Sequence, residues 1–301
     1  MDVILTLPAY ADHVAEAAAV DIVSGVRFNT VLPVREKFVD FLRAYAEKIA
    51  PKQLWIDLKC RQLRIVSSAY VPYSYLDISH KISVRTPVEA TFCGGTFTAT
   101  IRSIENGDRL IIDDISPVPL GSGMSLSISD PSLKIEGYLT ERDEAFVGAA
   151  RKAGIHHYVL SYVEQESDIR DLLKLDPKAQ ILAKIESRKG LDFVERVYPK
   201  LKDRVRLMAA RGDLYHELER PHEILRATRQ IIRADASAVG ASRLLSSMKK
   251  SRVPECPELG DLGWLLEIGY GTLMLGDELA FDRKALMGAL AVLRAVAADF
   301  R

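Results

Sequence analysis

Short apolar runs alternate along this chain with stretches in which apolar positions recur at helical spacing. The runs are VILTL (3–7), GVRFNTV (25–31), LWIDLK (54–59), HYVLSYV (157–163), ILAKIE (181–186), VRLMAA (205–210), SAVGAS (237–242) and TLMLGDE (272–278). They are too continuous for half-exposed hairpins and suit parallel strands buried on both faces. Between several of them the period lengthens. Phe38, Phe41, Leu42, Tyr45 and Ile49 mark one amphipathic helix over 35–50, and Leu286, Leu290, Leu293 and Ala297 mark another over 282–299. Eight such strands, each followed by a helix, predict an α/β chain folded as a (β/α)8 barrel.

One interval breaks this rhythm. Between Arg64 and about Gly137 helical periodicity fades, and Thr, Ser, Val and Ile alternate with turn signals: CGG at 93–95, ENGD at 105–108 and LGSG at 120–123. The pattern predicts a small β-rich domain over 65–137, inserted after the third strand of a barrel formed by 1–64 and 138–301. Within it, NGDRLIIDD reads as a turn, an apolar strand and two exposed carboxylates, Asp113 and Asp114.

Composition narrows the function classes. Lys+Arg and Asp+Glu balance at 41 each across 301 residues, so no nucleic-acid or membrane-surface binding is expected. Apolar runs fall short of a membrane span, and the N-terminus has neither a basic leader nor a small-residue cleavage site. Cys60, Cys93 and Cys256 are odd in number and far apart, which argues against a disulfide framework or a zinc knuckle. A cytoplasmic protein is the expectation.

In a barrel of this kind, catalytic groups gather where strands run out into βα loops. The fifth run ends LAKIES, with Lys184 and Glu186 two apart and therefore on one side of the strand. The sixth ends AARGDL, with Asp213 beside Gly212 where a helix should begin and offer free N–H groups to an anion. Glu186 and Asp213 form a candidate two-carboxylate Mg²⁺ (or Mn²⁺) site, and Lys184 could neutralise charge on a transferring phosphoryl group. Each motif alone also reads as an ordinary salt-bridged strand end or turn. Both together, on consecutive strands at one barrel face, point to a site. Trp55 and Trp264 read as packing residues, His156 and His157 as lying on the opposite, stability face, and MKKSR (248–252) as a solvated loop.

The segments AKIES-KGLDFVERV and MAARGDL resemble the pyruvate kinase family, as do GVRFNT, WIDLKCRQLR, GDRLIIDD, LTERDE, VLSYVEQESDI, ASRLLSSM and LMLGDEL, in the same order over essentially the whole chain. The resemblance implies a barrel whose inserted β-domain is a mobile lid, and Mg²⁺-dependent phosphoryl transfer between phosphoenolpyruvate and ADP. It implies Lys184 as the catalytic lysine and Glu186 and Asp213 as metal ligands. Arg27 would contact phosphoryl oxygens on the nucleotide side, and Arg64 falls at an active-site arginine position. Ala210, Gly212 and Asp213 would hold the substrate carboxylate with Ser242, whose hydroxyl replaces a threonine and would support enolate protonation. Asp113 and Asp114 would lie over ADP or ATP. Asn29 and Asp57 fall at monovalent-cation positions. A homo-oligomer is compatible with the family.

The departures cluster. Val31 replaces a serine that would ligate K⁺, and Gln62 stands where an acid is expected, so K⁺ dependence is expected to be lost. Leu58, Cys60 and Arg61 replace a Thr/Gly-Pro run, Arg243 replaces a glutamine, Cys256–Pro257 fall where an arginine is expected, and LGDEL replaces Ser-Gly-Glu-Thr. With the chain ending after the eighth helix, no effector domain is expected, and saturation should be hyperbolic and indifferent to sugar phosphates. The drift on the nucleotide side leaves two other readings: a metal-dependent lyase or tautomerase acting on pyruvate or oxaloacetate, and a non-catalytic metabolite-binding paralogue.

Overall fold

The computed structural model describes residues 1–69, 74–93, 95–113 and 119–300. The chain divides into two compact units, one made of 1–58 with 142–301 and the other of 59–141.

The first unit is a closed barrel of eight parallel strands. They are Asp2–Thr6, Val23–Asn29, Gln53–Leu58, His157–Leu160, Gln180–Ile185, Val205–Ala210, Val239–Ala241 and Thr272–Leu275. Each pairs with the next in the chain, and the eighth closes on the first, with Asp2 opposite Thr272 and Leu5 opposite Leu275. All eight apolar runs are therefore strands, several of them shorter at the C-terminal end than the apolar pattern, because the polar termini leave the ladder for βα loops. Ile4, Trp55, Leu182, Met208, Val239 and Met274 pack together as one buried cluster. Inward-pointing side chains from successive strands fill such a barrel, so it is a packed core rather than a pore.

Helices cover the strands. Phe38–Ile49 buries Phe41, Leu42, Tyr45 and Ile49, the stripe that its spacing marks. Arg283–Asp299 buries Leu286, Leu290, Leu293 and Ala297 and begins at Asp282, whose carboxylate accepts from the N–H groups of Lys284 and Ala285. Ser187 caps Arg188–Arg196 by accepting from Gly190 N–H at 3.1 Å. These caps satisfy amides that the helix itself leaves without a partner, which sets where the chain turns from loop to helix. No helix among the described residues is long and apolar enough to cross a membrane.

The second unit is all β among its described residues. A six-stranded sheet contains Val88–Phe92, Phe97–Glu105, Arg109–Ile112, Tyr75–Ile78 and Ile65–Ala69, with Leu126–Ser127 at one edge; Ile82–Ser83 pairs with Lys134–Ile135 in a small second sheet. Asn106 and Gly107 both take positive φ, 53° and 85°, in the tight turn between two of these strands, as the ENGD signal predicts. Leu63, Ile65, Leu76, Phe92, Ile101 and Leu110 form its core. This unit begins at Lys59, ahead of 65, because the third strand stops at Leu58 and Leu63 already packs inside the inserted core.

Candidate active site

The C-terminal ends of the second, third and fifth strands bring four charged side chains together in the barrel unit. Arg27 donates from Nε to Asp57 Oδ2 at 2.9 Å, a second Arg27 nitrogen also meets that oxygen, and Nη1 donates to Thr6 Oγ1 at 2.8 Å. Lys184 Nζ lies 3.4 Å from Asp57 Oδ1 and 3.4 Å from Glu186 Oε1. All four side chains are buried. Burial disfavours the Lys184 ammonium, yet Asp57 and Glu186 outweigh it and hold its pKa above the ordinary lysine value. The same opposition, won by Asp57 and Asp277, keeps Arg27 charged.

Glu186 follows the fifth strand, whose Lys184 and Ile185 pair with Met208 and Ala209 of the sixth, so the two strand ends come level. Tyr162 takes φ +49° and donates its backbone N–H to Glu186 Oε2 at 2.7 Å. Burial pushes the Glu186 carboxyl up to about 7; Lys184 pulls the other way, but the Asp213 carboxylate adds to the rise. Asp57, Glu186, Asp213 and Asp277 thus gather about Arg27 and Lys184. Glu186 and Asp213, two carboxylates in mutual repulsion, supply the hard oxygen donors that Mg²⁺ or Mn²⁺ prefers. The residues fit the ion. Among the described residues no group of three or more His, Cys, Asp or Glu gathers as a metal site.

The sixth strand ends at Ala210, and the helix Arg211–Glu217 starts directly after it, carrying Gly212 and Asp213 in its first turn. Arg211 reaches across to the end of the seventh strand. Its Nε donates to Ala241 O at 3.1 Å and its Nη2 to Ser242 O at 3.2 Å. Ser242 and Arg243 both take positive φ, 78° and 56°, a conformation that costs energy in non-glycine residues and is held here by the Arg211 contacts. A Cβ on Gly212 would lie 3.3 Å from Ser242 Cβ and 3.4 Å from its Oγ. The absence of a side chain at 212 is what lets the serine approach.

Comparison with known proteins identifies the family. The family model described as "Pyruvate kinase, barrel domain" matches residues 56–283, more than half of the chain. The chain belongs to the pyruvate kinase family. It is similar to the pyruvate kinase of Borreliella burgdorferi, 24% identical over 292 residues that cover 87% of this chain and 60% of that one. It is similar also to that of Debaryomyces hansenii, 25% identical over 257 residues covering 83% and 46%. A stretch of 166 residues is 30% identical to the pyruvate kinase of Hypocrea jecorina, covering 52% and 30%. The chain spans roughly half to three-fifths of the length of the first two relatives.

In this pyruvate kinase family chain, Lys184, Glu186, Asp213, Arg27 and Asp57 form one charged group, and Ala210, Gly212 and Ser242 meet at the neighbouring strand ends. Asn29 pairs with Asp57 in the ladder between the second and third strands, while its side chain has other partners: its Nδ2 donates to Asp277 Oδ2 at 3.1 Å and its Oδ1 accepts from Val31 N–H at 3.2 Å. Arg64 and Asp113 belong to the inserted unit. Arg64 donates to Gly123 O at 2.7 Å and to Gln62, and the exposed Asp113 pairs with Arg102 at 2.5 Å. Asp114 lies outside the described residues. The segment read as a solvated loop at 248–252 begins in a 3₁₀ turn, Ser246–Lys249, with Met248 buried, and is exposed over 249–252. His156 pairs with Asp176 at 2.7 Å, at the N-terminal end of the fourth strand.

Sequence reasoning passed over Thr6, Tyr162, Asp261 and Asp277. Asp277 had a signal, since it follows the eighth strand in the LGDEL that departs from the family pattern. Tyr162 had none, because it acts through its backbone.

Proposed function

We propose that this chain carries the phosphoryl-transfer centre of a pyruvate kinase-like enzyme, exchanging a phosphoryl group between phosphoenolpyruvate and ADP. The observation that supports it most directly is the Lys184 ammonium 3.4 Å from Glu186, whose carboxyl is pushed up by the neighbouring Asp213 carboxylate as well as by burial. In the reaction the bond between phosphorus and the enol oxygen breaks while phosphorus bonds to a terminal oxygen of ADP. The enolate left behind takes a proton at its methylene carbon and becomes pyruvate. Mg²⁺ or Mn²⁺ held by Glu186 and Asp213 would supply positive charge against the oxygens of the substrate. Lys184, whose pKa is raised rather than lowered, would serve as a fixed charge on the phosphoryl group and not as the proton source. Amides at Gly212 and Asp213 would receive the substrate carboxylate at a helix start. The Ser242 hydroxyl, close against Gly212, would stand beside that carboxylate and help deliver the proton. The inserted unit would act as the lid.

Phosphorus NMR of the protein with phosphoenolpyruvate, Mg²⁺ and ADP tests this reading. Growth of ATP signals at the expense of phosphoenolpyruvate is expected. Release of inorganic phosphate without ATP, or no change at all, would refute it.

A further inference from the structure

Two carboxylates hold Arg27, and they differ in kind. Asp57 is fully enclosed in the barrel wall. Asp277 is 43% exposed in its side chain; its Oδ2 lies 3.5 Å from Arg27 Nη1 and 3.1 Å from Asn29 Nδ2. It opens the short turn Asp277–Ala280 and lines a cavity of about 520 Å³ together with Lys249, Glu278, Phe281 and Asp282. Asp282 already serves the following helix as its cap, and the Glu278 carboxylate folds back over Gly276, where a Cβ would meet it at 2.4 Å. Of these cavity-lining acids, Asp277 is the one in contact with Arg27.

We infer that Asp277 is an exchangeable internal counter-ion on Arg27, which an arriving phosphoryl group must displace. The inference rests on the proposed reading in which Arg27 faces the phosphoryl group. A guanidinium has five N–H donors. Four of those on Arg27 go to Asp57, Thr6 and Asp277, and of these three partners Asp277 is the exposed one, so an arriving anion reaches the Nη1 edge by exchanging with the Asp277 carboxylate. The displaced carboxylate has water at hand, because it is already half exposed, and the Asn29 amide is released to donate to the newcomer. Displacing Asp277 costs the same whichever anion arrives, so every anion that binds Arg27 loses affinity by one common factor. The LGDEL departure thereby acquires a role: an acid at 277 imposes a cost on every anion, which a phosphoryl dianion, with its second charge and three acceptor oxygens, binds tightly enough to bear.

The test is calorimetric titration of the metal-loaded protein with inorganic phosphate and with acetate, for wild type, Asp277→Asn and Glu278→Gln. Asp277→Asn should bind phosphate about tenfold more tightly, the effect of losing one competing charge contact. Acetate should tighten by the same factor, which leaves the phosphate-to-acetate ratio unchanged. Glu278→Gln, which removes a charge from the same cavity without touching Arg27, should change both affinities less than twofold. If Asp277→Asn binds phosphate equally or more weakly, Asp277 merely braces Arg27 and the inference fails. Equal tightening by Glu278→Gln would assign the effect to the general field and also overturn it. Asp277→Ala repeats the measurement should the asparagine variant misfold. Phosphorus NMR separates this from the parent reading: tightened phosphate binding without ATP formation sinks only the proposed reaction, and ATP formation with unchanged phosphate binding sinks only the role of Asp277.

Discussion

The Arg211 guanidinium grips the Asp261 carboxylate through two parallel contacts, Nη1 to Oδ1 at 2.5 Å and Nη2 to Oδ2 at 2.8 Å. Two further donors hold the carbonyls of Ala241 and Ser242. Asp261 sits on the helix Cys256–Glu267, so the pair ties the end of the sixth strand to the helix that follows the seventh. Fork-to-carboxylate geometry of this kind is specific to arginine.

Breaking that fork should loosen the loop that carries Ser242. Asp261→Ala is expected to lower unfolding free energy by about 1–3 kcal/mol, discounted because the carboxylate is a third exposed. Arg211→Lys should lose nearly as much, since a lysine keeps the charge but cannot serve Asp261 and two carbonyls at once. Urea denaturation measures both. A lysine variant as stable as wild type would show that charge alone suffices.

Metal binding should depend on both members of the carboxylate pair. Asp213→Ala and Glu186→Gln are each expected to weaken Mn²⁺ binding by tenfold or more, roughly the loss of one charged ligand from a hard-cation site. Electron paramagnetic resonance of free Mn²⁺ gives the affinities. Wild-type affinity in both variants would place the ion elsewhere.

Stability of the metal-free protein should carry the mark of Glu186. Its folded pKa of about 7 lies above the ordinary 4.5, so the folded state favours the protonated carboxyl. That contribution is complete below about 4.5 and disappears as pH rises through about 7. Glu186→Gln, permanently neutral, should therefore gain on wild type across this window, by on the order of 2 kcal/mol between pH 4.5 and pH 8. A given Mn²⁺ concentration at pH 8 should stabilise wild type more than the variant. A difference between the two proteins that is flat with pH would contradict this account.

Potassium should have no special effect. Asp57 is committed to Arg27 and Lys184, Asn29 to Asp277 and the Val31 amide, and Val31 offers no side-chain oxygen. A K⁺ ion needs several oxygen donors in one place. Melting temperature and any turnover should be equal in potassium and tetramethylammonium chloride of the same ionic strength. A several-fold activation, or a shift of more than about 3 °C, in favour of potassium would show that a cation site persists.

The kind of each element was legible in the sequence because it is set by local spacing. Eight apolar runs with helical stretches between them can bury their faces as parallel strands under a ring of helices, and turn-rich ENGD and LGSG segments mark where that pattern stops. Lys184 with Glu186, and Gly212 with Asp213, were legible for the same reason: their relation is a matter of two residues along one strand end or one helix start. Contacts that depend on closure were not. Arg27 and Asp277 are 250 positions apart, and they meet because the eighth strand closes on the first, which in turn pairs with the second. Only that closure turns Asp277 from a departure at a loop into a counter-ion, and only the backbone twist at Tyr162 aims an amide at Glu186. The side chains that chemistry needs are written locally; which charges share one buried space is decided by how the barrel closes.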